Sequence, residues 1–247
     1  MLNILIPMSG NNRLDGDDYY YPKPFIELAG HPMIEWVINC YSNIPDKKFI
    51  FIVNKSDCIQ FHLDRVLQLL TEGKSIVVPL ATPTQGAACS ALLAIDLIEN
   101  ESPLIIANGD HVIRHPLEKA YESFIQRDLD AGLICFDSVH PKWSYARIEN
   151  DLIVETAEKC PISRNAIAGF YYFKHGEDFM TAAMESIAKQ SNSEGPFYVA
   201  PILNEMVLCG KSMGIYKIAS GQYHHFYSQG KLHDFELALE REQILED

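Results

Sequence analysis

Leu2-Asn3-Ile4-Leu5-Ile6-Pro7 runs directly into Met8-Ser9-Gly10-Asn11-Asn12-Arg13-Leu14, and an acidic, tyrosine-rich stretch then leads to Tyr21-Pro22-Lys23-Pro24. The first run is short and almost wholly apolar, as expected of a strand covered on both faces. The segment from Met8 to Pro24 reads as a phosphate-handling loop. Gly10 permits a tight turn with exposed N–H groups, Arg13 offers a forked donor for phosphate oxygens, and Lys23 sits between two prolines that limit its backbone freedom. A nucleoside triphosphate suits such a loop.

Outward from that start, strands near 2–7, 48–53, 75–79 and 103–107 alternate with helices near 33–43, 57–70 and 87–98, the rhythm of a doubly wound α/β sheet. Phe49-Ile50-Phe51-Ile52-Val53 is another near-continuous apolar run, and Pro32 and Ser56 or Asp57 suit helix starts. In open parallel sheets, ligands bind beyond the carboxyl ends of the strands. Three polar loops then share one rim: Gly10, Arg13 and Lys23 after the first strand, Thr82 to Ala88 after the third, and Asn108-Gly109-Asp110-His111 after the fourth.

From about residue 131 the pattern changes to strand-like runs at 132–136, 145–148, 152–154 and 168–173, then helices near 176–190 and 199–209, a strand near 213–218 and a last helix near 231–244. No internal repeat, low-complexity tract or linker-like shift in composition interrupts the chain, so 1–247 reads as one α/β domain with the second half built onto the first. The length of 247 residues and 47% hydrophobic content supply a proper core. A formal charge of −13 argues against nucleic acid as partner, so any phosphate site is a local basic pocket. No run of about 18 uncharged apolar residues occurs and the opening lacks a basic leader, so no membrane partner is expected and the chain reads as cytoplasmic. Six scattered cysteines form no C-x-x-C pair, and neither a zinc site nor a disulfide framework is expected. Quaternary structure has no signature in the sequence, and an oligomer is compatible with it.

Asp110 is the metal candidate, because a carboxylate at the end of a buried strand holds Mg²⁺ through an oxygen while waters and phosphates complete the octahedron. Asn-Gly-Asp is also ordinary turn chemistry. His111 and His115 are four apart, but Pro116 and Val112-Ile113 argue for an extended segment rather than one helix face. His224-His225 reads either as a ligand contact or as the polar edge of a partly buried strand. Tyr19-Tyr20-Tyr21 with Asp15, Asp17 and Asp18 reads as a lid over a triphosphate or as a surface loop, and Trp143-Ser144-Tyr145 as pocket lining or aromatic packing. There is no G-x-x-x-x-G-K-[ST] and no G-x-G-x-x-G, which disfavours a Walker-type ATPase and a dinucleotide site.

Taken in order, the first strand with M-S-G-N-N-R-L, Y-P-K-P-F-I-E-L-A-G-H-P-M-I-E-W-V-I, T-Q-G-A-A, A-N-G-D-H, A-E-K-C-P-I-S and A-G-F-Y-Y-F resemble the sugar-phosphate nucleotidylyltransferases (nucleoside-diphosphate-sugar pyrophosphorylases) over nearly the whole chain. The resemblance implies a three-layer α/β/α sandwich with a Rossmann-like, mostly parallel sheet, its nucleotide-binding half at 1–130 and its acceptor-binding half at 131–247. It also implies attack of a phosphate monoester on the α-phosphorus of a nucleoside triphosphate, with loss of pyrophosphate and with Mg²⁺ as cofactor. The partners would be a nucleoside triphosphate and a phosphorylated sugar or small alcohol, and cell-surface glycan synthesis the family's habitual pathway.

By matching positions, Arg13 would bind the β,γ-phosphates, Lys23 the α-phosphate, and Asp110 the metal. Pro7, Met8, Ser9, Gly10, Asn108 and Gly109 would line the nucleotide site, with Gln85 and Gly86 at the base. Tyr145, Glu158, Lys159 and Gly169 would face the acceptor. The sequence departs from the pattern in three places. The glycine loop lacks its second glycine and one residue; Lys159 precedes Cys160-Pro161 where Glu-Lys-Pro is common; and the segment that carries a second metal-binding Asp reads His225-Phe226-Tyr227-Ser228-Gln229-Gly230. Two other readings stand beside this one: a glycosyltransferase using a nucleotide-sugar donor, and a catalytically weak nucleotide-binding regulatory homologue.

Overall fold

The computed structural model describes residues 1–10, 13–14, 20–98, 101–189 and 195–246; the expectations placed on Asn11, Asn12 and the 15–19 stretch lie outside them. In chain order the elements are β1 (Leu2–Met8), β2 (Glu27–Leu28), β3 (His31–Pro32), α1 (Met33–Asn39), β4 (Lys47–Asn54), α2 (Lys55–Phe61), α3 (Leu63–Leu70), β5 (Ser75–Leu80), α4 (Ala87–Leu92), β6 (Leu104–Ala107), β7 (His111–Ile113), α5 (Leu117–Gln126), β8 (Ala131–Asp137), β9 (Tyr145–Glu149), β10 (Leu152–Ala157), β11 (Asn165–Phe173), α6 (Gly176–Ala188), α7 (Val199–Leu208), β12 (Met213–Lys217), β13 (Tyr223–His225) and α8 (Gln229–Glu246). The α/β class read from the sequence is the class observed.

Among the described residues nine strands form the main sheet, in the order β10-β9-β11-β6-β1-β4-β5 with β8 and β12 attached through β11. Strands β6, β1, β4 and β5 run parallel, and β11 pairs antiparallel with β6. Period-two alternation divides each apolar strand between two cores. Ile4, Ile6, Phe49, Phe51, Ile105 and Phe170 pack on one face, whereas Leu5, Ile50, Ile52, Leu104, Ile106 and Phe173 pack on the other. Both faces are covered by other elements, which is why these strands read as continuous apolar runs.

The chain leaves β1 toward β4 and β5 and returns to β1's other side as β6. That reversal opens a crevice at the carboxyl ends of β1 and β6, the switch point at which open α/β sheets bind ligands.

Several local details differ from the sequence expectation: the helices expected over 33–43 and 87–98 end at Asn39 and Leu92, the second being followed by a 3₁₀ turn over Ile95–Leu97. The helix expected over 57–70 is two helices, because His62 takes a left-handed φ of 55° that ends α2 and starts α3. Within the proline-rich motif, β2 and β3 form a short hairpin whose turn residues Ala29 and Gly30 both have positive φ, as a tight hairpin turn demands. Finally, β7 and β13 form a separate antiparallel pair with His111 opposite His225, a long-range pairing that no local pattern marks.

Candidate functional site

Pro7, Met8, Gly10, Lys23, Asn108, Gly109 and Asp110 line a cleft of about 130 Å³ at that switch point. Small residues set its shape. A Cβ on Gly109 would stand 2.5 Å from the Met8 side chain, so glycine lets the two strand ends close on each other. Lys23 begins a single 3₁₀ turn set by its flanking prolines, and its Nζ reaches the Asp110 Oδ2 at 3.4 Å.

Asp110 is also met by two imidazoles. His111 Nε2 lies 3.2 Å from Oδ1 and His225 Nε2 lies 3.5 Å from Oδ2, and the three residues form a cluster able to hold a metal ion. The β7–β13 register builds it: facing residues of an antiparallel pair put their side chains on one side, and the two imidazole centroids are 4.3 Å apart. The Phe226 N–H donates to the Asp110 carbonyl at 3.1 Å and carries the pairing up to Asp110 itself. Tyr223 places its hydroxyl 2.7 Å from His111 Nδ1, whereas His225 Nδ1 is buried with no partner among the described residues.

Burial acts to raise the Asp110 carboxyl, but His111, His225 and Lys23 together outweigh it and hold the group well below the usual carboxylate range. Burial dominates at His111, which is pushed down to about 3, with His225 adding to the effect. His115 stands apart from this cluster, sharing a 3.0 Å hydrogen bond with the Tyr216 hydroxyl.

A chain of hydroxyls ties the first loop to the Gln85-Gly86 loop: Ser9 and Ser90 are 3.1 Å apart, and Ser90 and Thr84 2.6 Å. Gly86 has φ 121°, and a Cβ there would lie 2.4 Å from the Phe197 carbonyl oxygen. The Phe197 N–H donates to the Gln85 carbonyl at 2.6 Å, and the Ala88 N–H to the Phe197 carbonyl at 3.0 Å. Gln85 and Gly86 are thus held by the segment that leads into α7.

On the second half, Ser144 donates to Glu158, whose carboxyl is raised chiefly by burial. Lys159, at a left-handed φ of 53°, reaches the Tyr198 hydroxyl at 3.2 Å. Tyr145 is fully buried, and its hydroxyl donates to the His140 carbonyl at 2.6 Å. Gly169 has φ 65°, and a Cβ on it would meet His111 Nδ1 at 2.5 Å and the Asn108 amide at 2.8 Å; its bareness makes room for those two side chains. Arg13 does not line the cleft: it donates to the Tyr20 carbonyl at 2.7 Å and lies over the Phe61 ring.

Sequence reasoning missed His111 and His225 as joint partners of Asp110, Ser90 as the bridge between loops, and Phe197 and Tyr198 as the backing of Gln85 and Lys159. The signal for His225 was present, since it opens the segment where a second carboxylate is absent. The other partners depend on pairings far apart in the chain.

A family described as nucleotidyl transferase matches residues 18–205. The bifunctional protein GlmU of Thermotoga maritima is 24% identical over 192 residues, which are 74% of this chain but 40% of that protein, so the chain spans well under half the length of that relative. The crystal structure of a nucleoside-diphosphate-sugar pyrophosphorylase from Vibrio cholerae superposes with TM-score 0.80 at 24% identity, covering 96% of this chain and all of that one. The inositol-1-phosphate CTP transferase from T. maritima gives 0.73 at 16% identity over 95% and 94% of the two chains. These structural likenesses establish a shared fold. The family match embraces the Lys23 turn, the Gln85-Gly86 loop, Asp110 and the Glu158-Lys159 pair, and by it the chain belongs to the nucleotidyl transferase family, the sugar-phosphate nucleotidylyltransferases that its motifs resemble.

Proposed function

We propose that the protein couples a nucleoside triphosphate to a phosphorylated sugar or similar small alcohol and releases pyrophosphate. The observation that carries this reading is the cleft at the switch point, where Lys23 and Asp110 meet beside the Met8–Gly10 turn. In this reaction an acceptor phosphate oxygen forms a bond to the α-phosphorus while the bond to the β-phosphate oxygen breaks. Such in-line transfer requires positioning and charge neutralisation rather than covalent help from the protein.

Lys23 lines the cleft and would face the α-phosphate. The Ser9-Gly10 backbone would meet the remaining phosphates together with Arg13. Gln85 and Gly86, fixed by Phe197, would receive the base. Glu158 and Lys159, steadied by Ser144 and Tyr198, would orient the acceptor. The acceptor phosphate is anionic near neutral pH, so no general base is needed. A divalent cation held at Asp110 would supply neutralisation of the triphosphate. The donor set fits Mg²⁺ only in part, because Asp110 offers one hard oxygen while His111 and His225 offer nitrogen.

The test is pyrophosphate release from CTP, UTP, GTP, ATP and dTTP against pooled sugar 1-phosphates and phosphorylated alcohols, with a divalent ion present. Release is expected with one base, and Lys23→Ala is expected to lower kcat by about 10²–10³-fold, the cost typical of removing one charge-stabilising donor. No release across all pools from folded protein would refute the reading.

A further inference from the structure

We propose that the Asp110–His111–His225 cluster selects a first-row transition-series dication over Mg²⁺. The cluster borders the cleft at the switch point, and its role there rests on that cleft being the place where the triphosphate is held. Mg²⁺ is taken by oxygen ligands and keeps its waters, whereas imidazole suits ions of the iron-to-zinc series, and two imidazoles with one carboxylate is a donor set those ions choose.

The spacing supports it. Two donors about 2.1 Å from a tetrahedral ion stand roughly 3.4 Å apart. His111 Nε2 lies 3.2 Å from Oδ1 and His225 Nε2 3.5 Å from Oδ2, so each imidazole faces its own carboxylate oxygen, and one donor atom from each of the three residues lies within 4.8 Å of the others.

The surroundings support it as well. A ligating histidine is normally oriented by a partner on its other ring nitrogen. For His111 the Tyr223 hydroxyl fills this place, 2.7 Å from Nδ1 and 3.3 Å from Nε2, with Nε2 3.2 Å from Asp110, whereas His225 Nδ1 has no such partner among the described residues. Gly169 and Asn108 complete the cradle, since a side chain at Gly169 would strike the His111 ring. The Lys23 ammonium stands 3.4 Å from Asp110. That is longer than the roughly 2.7–2.9 Å usual for a strong charge-assisted bond. An ion held by the cluster would take the ammonium's place beside Asp110 and release it toward phosphate.

The probes are Co²⁺ and Mg²⁺ alone, titrated into the full chain by calorimetry, with proton NMR of the Co²⁺ form. Hyperfine-shifted, exchangeable imidazole N–H resonances are expected from His111 and His225, and each of His111→Ala and His225→Ala should remove one. His225→Asp, which introduces a carboxylate in place of an imidazole, should lower the ratio of Co²⁺ to Mg²⁺ affinity by about tenfold or more. Tyr223→Phe should weaken Co²⁺ by about tenfold while the fold, read by near-ultraviolet dichroism, is retained.

An unchanged ratio in folded His225→Asp, shifted resonances that survive both alanine variants, or no Co²⁺ binding at all would overturn the proposal. Its failure is separable from that of the transferase reading. Pyrophosphate release with an unchanged ion ratio sinks this inference alone, and nitrogen-ligated Co²⁺ without release under any ion sinks the other alone.

Discussion

At the scale of single residues, the cleft depends on side chains that are absent as much as on those present. At Gly86 a Cβ would drive into the Phe197 backbone, which cannot move aside as a flexible side chain would, and φ 121° is strained for any L-residue. Gly86→Ala is expected to cost about 3 kcal/mol in urea unfolding, the sum of backbone strain and overpacking. Glu158 makes a pH-dependent contribution. Burial raises its carboxyl above the ordinary 4.5, Ser144 and Lys159 only partly opposing it, so the native state holds this proton more tightly than the unfolded chain. Stability from this group is therefore greatest below 4.5 and falls as pH rises through the native value. Glu158→Gln should flatten that fall, which stability curves measured above pH 4.5 for the two proteins would reveal; parallel curves would contradict the assignment.

At the scale of elements, helices and strands meet through close fits that local patterning does not announce. Strand β8 carries Gly132 beneath α5, where a Cβ would lie 2.4 Å from the Phe124 ring. Phe124 is fully buried and stacked on Tyr172, so it has little room to yield. Gly132→Ala should cost about 1–3 kcal/mol by denaturant unfolding, while the nucleotide KM stays unchanged because the cleft lies elsewhere. The elements legible in the sequence were those with a strong local signature: the apolar runs of β1 and β4, and the long helices α6, α7 and α8. The break at His62 and the β7–β13 pair were not legible. A single left-handed residue at His62 has no side-chain signature in the sequence, and a three-residue strand pairs with a partner more than a hundred positions away for reasons of topology alone.

At the scale of the whole molecule, an ion bound only by the native state raises stability by mass action. At a hundred times its Kd this amounts to about 2.7 kcal/mol, which for a chain of this size raises Tm by roughly 5–10 °C. Co²⁺ should produce such a rise in the wild-type protein and none in Asp110→Asn, as read by thermal unfolding.

The sequence by itself determined the α/β class, the strand-and-loop order that brings Gly10, Lys23 and Asp110 to one cleft, and the family resemblance, because each is written in local periodicity and short motifs. Only the tertiary structure decided that His111 and His225 close on Asp110, that Gly169 is bare to admit an imidazole, and that Tyr198 and Phe197 stand behind Lys159 and Gln85. Those contacts join segments far apart in the chain, and their geometry is set by strand order and register, which no local run of residues encodes.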